Sequence, residues 1–123
     1  MISSFSEKSK LLIIGASGHG RVVADIALKM NRWQQIAFVD DNETIKHSMG
    51  IEVIGKTSDA FTYISDYEIF VAIGNNKTRE KIQSQLEISG TKLPTLIHPS
   101  AIIGEGVEVG AGTVVMAGAV KLL

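Results

Sequence analysis

Three short runs of exclusively apolar residues constrain the fold of this chain more than any other feature. The runs cover residues 11–14, 36–39 and 69–73. Because every position is apolar, rather than every second one, each run is typical of a strand that is buried on both faces of a parallel sheet. The chain is therefore predicted to be an α/β protein.

Apolar residues at helical spacing follow the first and the third run. After the first run they predict a helix over about residues 19–30, and its apolar positions are Val22, Val23, Ile26, Ala27 and Met30. After the third run, Asn76 is predicted to cap a helix that contains Ile82 and Leu86 and ends near Gly90. Right-handed crossovers would wind these units into a small, Rossmann-like parallel sheet with flanking helices.

The polar segment between the second and the third run is predicted to add little regular structure. One more short strand is expected at residues 51–54. Thr57 or Ser58 is expected to cap a brief helix that continues through Ile64.

A six-residue repeat replaces this pattern after residue 98. Aliphatic residues recur at Ile103, Val109 and Val115, with small residues between them. A hexapeptide period with a fixed aliphatic phase is typical of a left-handed parallel β-helix, in which three hexads make one coil. A flexible glycine-rich tail, the alternative, would keep no such phase. We therefore predict a Rossmann-like domain at residues 1–98 and the first coil of a left-handed β-helix at residues 99–123.

The motif Gly15-Ala-Ser-Gly-His-Gly20 follows the first strand and opens the first helix. Glycines let a backbone approach an anion closely, and the free N–H groups at a helix start attract negative charge. The spacing is G-x-x-G-x-G and not the G-x-G-x-x-G of ordinary dinucleotide-binding folds. The motif predicts a phosphate loop, and the alternative is a turn whose glycines serve only tight packing. His19 could donate to a phosphate or a sugar hydroxyl, act as a base, or simply lie exposed at the helix start.

Polar residues also follow the second and the third strand, at the same edge of the sheet. Asp40 and Asp41 lie where a carboxylate can accept hydrogen bonds from ribose hydroxyls, although paired aspartates are also good turn formers. Arg79 lies in the first turn of the next helix, where a phosphate would offset its unfavourable interaction with the helix dipole. No catalytic or metal-binding set is predicted. The candidate substrate-binding residues are Gly15, Ser17, Gly18, His19, Gly20, Asp40, Asp41, Gly74, Asn75, Asn76 and Arg79.

Composition argues against several classes of function. Twelve Lys and Arg residues against thirteen Asp and Glu residues give a formal net charge of −1, so no broad positive field draws the chain onto nucleic acid or an anionic membrane. The polar amino terminus and the glycine-rich stretch at residues 101–120, which carries two glutamates, predict neither a signal peptide nor a membrane helix. Since cysteine is absent, disulfides and thiol catalysis are excluded, and a cytoplasmic protein is predicted.

Four motifs follow one another in a distinctive order: residues 10–21, residues 38–41, residues 72–76 with Arg79, and residues 96–101 followed by the hexapeptides. Together they resemble the sialic-acid O-acetyltransferase family, whose relatives include bacterial enzymes that N-acetylate UDP-4-amino-sugars. The resemblance implies that a Rossmann-like domain binds the nucleotide-sugar acceptor, while a left-handed β-helix binds acetyl-CoA and forms a homotrimer. It implies a phosphate and sugar contact for Gly18, His19 and Gly20, a nucleoside contact for Asp40 and Asp41, and a place in the pocket wall for Gly74, Asn75 and Arg79.

The family's general base is a histidine in the β-helix, and none of the three histidines of this chain lies in the hexapeptide segment. The chain is therefore expected to hold the UDP-sugar-binding half of an acetyltransferase of bacterial glycan synthesis. It is expected to be truncated after the first coil, to lack the base and most of the acetyl-CoA site, and to be inactive alone. Two alternatives stay open, an NAD(P)-binding module and a non-catalytic nucleotide-binding protein.

Overall fold

The computed structural model describes residues 9–121, so the outer ends of the two predicted domains, residues 1–8 and 122–123, lie outside the described residues. No helix within residues 9–121 is long and apolar enough to cross a membrane. In chain order the elements are β1 (Lys10–Ile14), α1 (Gly18–Met30), β2 (Gln35–Val39), β3 (His47–Ser48), β4 (Ile51–Glu52), a 3-10 helix (Thr57–Thr62), β5 (Glu68–Val71), α2 (Asn76–Ile88), β6 (Leu96–Ile97), β7 (Ile102–Ile103), β8 (Val114–Val115) and β9 (Val120–Lys121).

A three-stranded parallel sheet of order β2-β1-β5 lies at the centre of the protein. In the middle strand, Ile14 pairs with Val39 on one side and with Val71 on the other. The strands coincide with the three apolar runs, so the predicted α/β class and the small parallel sheet are confirmed. The third strand is shorter than its run, because Ala72 and Ile73 lead into the loop before α2.

Both faces of the sheet are buried, as alternate residues of β1 show. Leu11 and Ile13 face a core formed with α1, whereas Leu12 and Ile14 face a core formed with α2 and the 3-10 helix. None of these four side chains is exposed. Burial of each contributes about 1.5–3 kcal/mol, so packing from both sides fixes the position of β1.

The amino-terminal cap of α2 differs from the prediction. Asn75, and not Asn76, caps this helix, because the Asn75 Oδ1 accepts a hydrogen bond from the Thr78 N–H at 2.9 Å. Asn76 is instead the first helical residue. The helix ends at Ile88, and Gly90 follows with a φ of 81°, a left-handed conformation that glycine adopts without strain.

The segment after β2 forms a short antiparallel hairpin, β3–β4, instead of one strand over residues 51–54. The prediction is wrong for Val53 and Ile54, because these residues leave the hairpin and run beside β2. Val53 forms a parallel bridge with Phe38, and the Ile54 N–H donates to the Phe38 carbonyl oxygen at 2.8 Å. This short alignment places the segment next to the end of the sheet.

The brief helix that follows is a 3-10 helix, and it ends at Thr62 rather than at Ile64. The residue before it is Lys56, so neither Thr57 nor Ser58 is its cap. The Asp59 Oδ2 accepts a hydrogen bond from the Lys56 N–H at 2.8 Å and closes the first turn. A side chain from within the helix thus replaces the expected capping hydroxyl.

Residues 96–121 contain four two-residue strands that follow the six-residue period. β6 pairs in parallel with β8, and β7 with β9, and each pairing joins residues eighteen positions apart, which is three hexads. Gly106, Gly112 and Gly118 recur six residues apart, all with φ between 72° and 83°. The left-handed β-helix and the domain boundary after residue 98 stay predictions.

A buried carboxylate fastens the α1–β2 loop to the first residue of β5. The Glu68 side chain is 2% exposed, and its oxygens accept hydrogen bonds from Arg32 Nη2 at 2.8 Å and from Trp33 Nε1 at 2.5 Å. The Arg32 guanidinium also lies 4.7 Å from the centre of the Trp33 ring, a cation–π contact. A buried charge is tolerated only when it is paired and hydrogen-bonded, so these contacts explain the position of Glu68.

Replacing Glu68 by Gln tests this arrangement. Gln removes the charge and turns an amide N–H toward one of the two donors, so the free energy of unfolding should fall by about 1–3 kcal/mol. Urea unfolding followed by the fluorescence of Trp33, the single tryptophan, measures the change. Glu87→Gln, on the exposed surface of α2, is the control and should shift stability by less than about 0.5 kcal/mol. Equal stability of the two variants would contradict the role of Glu68.

Candidate functional site

The loops that follow β1, β2 and β5 meet at one edge of the sheet. The Gly15 N–H donates to the Val39 carbonyl oxygen at 2.9 Å, and the Ala72 N–H donates to the Ile14 carbonyl oxygen at 2.8 Å. These bonds continue the sheet for one step beyond its strands. In open parallel sheets, ligands bind at this carboxyl edge, so the structure brings the candidate residues of all three loops to one side of the protein.

Among the candidate glycines, the fold requires two and leaves two free. At Gly15, φ is 107° and a Cβ would lie 2.6 Å from the Ala72 carbonyl oxygen. At Gly20, a Cβ would lie 1.8 Å from the Gly15 carbonyl oxygen, because the first turn of α1 packs on the loop. At Gly18 and Gly74, a Cβ would meet no atom within 4 Å, and φ is not positive. These two glycines therefore leave open space at the carboxyl edge.

The amino end of α1 presents backbone donors without helical partners. The N–H groups of Gly18, His19 and Gly20 have no acceptor four residues earlier within the helix. Ser17 makes no capping hydrogen bond through its side chain, and the first turn contains no acidic residue. The helix thus combines the positive end of its dipole with free donors, which is the arrangement that binds phosphate and other anions.

Asp40 and Asp41 accept hydrogen bonds from the backbone of neighbouring loops. The Asp40 Oδ2 accepts from the Ala16 N–H and its Oδ1 from the Asn42 N–H, both at 2.8 Å. The Asp41 Oδ1 accepts from the Thr57 N–H at 2.9 Å. The turn formed by Asp40 and Asn42 is an Asx turn, so the turn interpretation of this pair is confirmed. A contact to ribose stays a prediction.

A cleft of about 750 Å³ opens beside Asp40. We call it the first cleft, and its lining also includes Asn42, Val53, Ile54 and Lys56. Apolar walls with a few polar groups are typical of small-molecule sites. Of these residues the sequence indicated only Asp40, because the insert carries no motif and Val53 and Ile54 have the pattern of a strand.

An exposed ion pair also lines the first cleft. The Lys56 Nζ lies 3.1 Å from the Glu43 Oε1. The hydrogen bond and the negative charge of Glu43 raise the pKa of the Lys56 amine above its ordinary value, so Lys56 stays a cation at neutral pH. Exposed pairs contribute little to stability, and both groups are therefore available to a polar ligand.

A second cleft, of about 360 Å³, lies between the α/β part and the repeat segment. His19, Arg79 and Gln83 line it together with residues 111–114. Two residues predicted from separate motifs thus share one cleft, whereas no motif pointed to Gln83. A Cβ on Gly112 would lie 3.0 Å from the Gln83 Nε2, so the Gln83 amide lies directly against the repeat segment.

Contacts near the start of α2 hold the Arg79 side chain. Its Nη2 donates to the Asn76 Oδ1 at 2.6 Å, and its Nη1 donates to the Ile73 carbonyl oxygen at 3.3 Å. These acceptors offset part of the unfavourable interaction between a cation and the positive end of a helix. Arg79 therefore does not require a phosphate for its position, and the phosphate contact stays a prediction.

Residues 10–86 match the profile of the PglD N-terminal domain, and they include the glycine loop, both aspartates and Arg79. The chain belongs to the PglD N-terminal domain family. The resemblance drawn from the four motifs is thereby confirmed.

Two curated relatives of this family member are sugar N-acetyltransferases. The UDP-N-acetylbacillosamine N-acetyltransferase of Bacillus subtilis (strain 168) is 33% identical over 109 residues, which cover 85% of this chain and 50% of that protein. The GDP-perosamine N-acetyltransferase of Escherichia coli O157:H7 is 26% identical over 111 residues, with 84% and 49% covered. The chain spans about half the length of these relatives.

Two solved structures share the fold of the PglD-type chain. The acetyltransferase domain of PglB from Neisseria gonorrhoeae FA1090, in complex with acetyl coenzyme A, superimposes with a TM-score of 0.86 at 41% identity, over 92% of this chain and 55% of that one. PerB from Caulobacter crescentus, in complex with CoA and GDP-perosamine, gives a TM-score of 0.79 at 31% identity, over 90% and 53%. The mixed α/β fold with its small parallel sheet is therefore shared with acetyltransferase domains.

Two alanine substitutions distinguish the glycines that the fold needs from those it leaves free. Gly20→Ala should lower the free energy of unfolding by about 3 kcal/mol or more, because its Cβ would clash with a backbone oxygen. Gly18→Ala should leave stability unchanged or raise it by up to about 1 kcal/mol, since alanine favours the helix and meets no atom. Urea unfolding measures both. Similar losses in the two variants would show that Gly18 is also a packing residue.

Proposed function

We propose that this chain binds a UDP-linked amino sugar, as the acceptor-binding part of an acetyl-CoA-dependent sugar acetyltransferase in bacterial glycan synthesis. The observation that carries the proposal is the uncapped start of α1 beside two glycines with open space, Gly18 and Gly74. The named activities of the relatives support it, because they act on UDP- and GDP-linked sugars. The UDP-specific relative is the more similar of the two.

In this proposal each part of the carboxyl edge receives one part of the acceptor. The N–H groups of residues 18–20 receive the diphosphate, for which the helix start supplies donors and a favourable dipole. The nucleoside occupies the first cleft, where Val53 and Ile54 provide apolar walls for a base. The sugar extends toward the second cleft and its polar side chains, His19 and Arg79.

We further propose that residues 99–123 begin a left-handed β-helix of the kind that binds acetyl-CoA and assembles as a homotrimer. The eighteen-residue strand pairing and the glycine corners every six residues support a coil of three hexads. The coenzyme's phosphates need positive partners, but residues 99–120 contain no Lys or Arg and two Glu residues. We therefore assign most of the acetyl-CoA site to residues outside this segment. The absence of cysteine supports a cytoplasmic location.

Titration calorimetry with UDP, GDP and NADH tests the binding function, and Gly18→Asp is the decisive variant. An aspartate at the start of α1 meets no atom and interacts favourably with the helix dipole, by about 0.3–1 kcal/mol, so the protein should stay folded. Its charge would repel the diphosphate, and the Kd for UDP should rise about tenfold or more. Asn31→Asp adds the same charge at the opposite end of the same helix and should leave that Kd unchanged.

Each outcome of this titration bears on a named function. Saturable UDP binding that Gly18→Asp weakens and Asn31→Asp preserves supports the proposal. Tighter binding of NADH than of UDP would contradict it and favour a nicotinamide-binding module. Binding of none of the three would favour a protein without a nucleotide ligand.

The chain alone should not transfer acetyl groups. No histidine lies between residues 99 and 123, so the repeat segment offers no imidazole base to remove a proton from the attacking amine. Release of free CoA from acetyl-CoA, followed with a thiol reagent in the presence of a UDP-4-amino-sugar, should not exceed the rate without protein. Turnover by this polypeptide would contradict the assignment of catalysis to other residues.

A further inference from the structure

Residue 40 connects three separate chain segments around the first cleft. Its carboxylate accepts hydrogen bonds from the Ala16 N–H in the glycine loop and from the Asn42 N–H in the next loop. Its own N–H donates to the Gly55 carbonyl oxygen at 2.9 Å, in the segment before the 3-10 helix. The bond to Ala16 spans 24 positions of sequence, so it is a tertiary contact and not a feature of a local turn.

The bond to Ala16 acts on the loop at the point where its backbone is least constrained. Gly15 has a φ of 107° and no side chain, so hydrogen bonds must hold the direction of the chain that follows. The Gly15 N–H is held by Val39 and the Ala16 N–H by Asp40. The next helical residues, 18–20, carry the donors without acceptors. The Asp40 bond therefore sets the direction in which these donors point.

A carboxylate beside a phosphate site is electrostatically unfavourable unless it has another role. Hydrogen bonds from backbone donors to a charged acceptor are stronger than neutral ones, and Asp40 receives two of them. Both carboxylate oxygens are thus already engaged within the protein. A ribose hydroxyl would be an additional partner and not the one that explains this residue.

We infer that Asp40 is a positioning residue, whose carboxylate holds the glycine loop in the conformation that receives the diphosphate and so couples phosphate binding to the first cleft. The inference rests on the proposed function. It differs from a direct contact between Asp40 and the nucleoside in one measurable way. Loss of a loop clamp weakens the contribution of the diphosphate, whereas loss of a nucleoside contact weakens uridine and UDP binding equally.

The experiment compares Asp40→Asn with Asp41→Asn in the full chain. Asparagine keeps the size of the side chain but has one acceptor oxygen, so only one of the two backbone N–H groups keeps its partner. We expect the ratio of the uridine Kd to the UDP Kd to fall about tenfold in Asp40→Asn, the loss of one charge-assisted hydrogen bond. Asp41→Asn removes the same charge from the neighbouring position and should leave this ratio as in the wild type.

Amide hydrogen exchange of Ala16, followed by NMR, gives a second readout that needs no ligand. Exchange at Ala16 should accelerate in Asp40→Asn and not in Asp41→Asn. An unchanged ratio of dissociation constants, or unchanged exchange at Ala16, would overturn the inference. Failure of the wild type to bind UDP would overturn the proposed function, and the exchange rates would still decide whether Asp40 holds the loop. If Asp40→Asn does not fold, Asp40→Glu keeps the charge but displaces the oxygens, and the same two changes are expected.

Discussion

The burial of β1 on both faces and along both edges is the constraint on which the rest of the structure depends. A strand with parallel neighbours on each side has no free edge, and its alternating side chains must fill two separate cores. A slip of one residue would exchange Leu12 with Leu11 between these cores and displace both neighbours. Because the register is fixed in this way, the three strands end at one level, and their loops are forced to share one edge.

That shared edge is the place where stability and binding impose opposite demands. α2 is capped by Asn75, and the 3-10 helix is closed by Asp59, so the backbone donors at these helix starts are used within the protein. α1 is the exception, since Ser17 provides no capping hydrogen bond. A capping side chain would stabilise a helix by about 1 kcal/mol. The protein forgoes this contribution at the helix start that a phosphate would occupy.

The sequence predicted the central elements well, because their signals are local. Runs in which every residue is apolar located the three strands, and helical spacing located both helices to within about two residues. Asn75 and Asn76 could not be separated, since either residue type caps a helix and only the hydrogen bond to Thr78 decides. The insert was predicted poorly, because Val53 and Ile54 take their conformation from a tertiary contact with Phe38.

The candidate site shows the same division between local and distant causes. The glycine motif and Arg79 could be selected from sequence, but Gln83 and Lys56 could not, because each reaches its cleft through the fold of a segment that carries no motif. The role of Asp40 depends on a bond across 24 positions, which no local pattern reveals. Glycine identity was also ambiguous: Gly18 and Gly20 look alike in the motif, yet only Gly20 is required by packing.

Leu96 has a mechanical consequence for the two parts of the chain. It belongs to β6, which pairs with the repeat segment, yet its side chain has no exposed surface and lies in the core beneath α1. The repeat therefore does not hang from a flexible linker; its first strand is wedged into the body that carries the sheet. A hinge motion between the two parts would have to pull an aliphatic side chain out of that core, at a cost of about 1.5–3 kcal/mol. The second cleft thus has two walls in rigid alignment, and a molecule that bridges them would meet a preformed gap instead of a closing jaw.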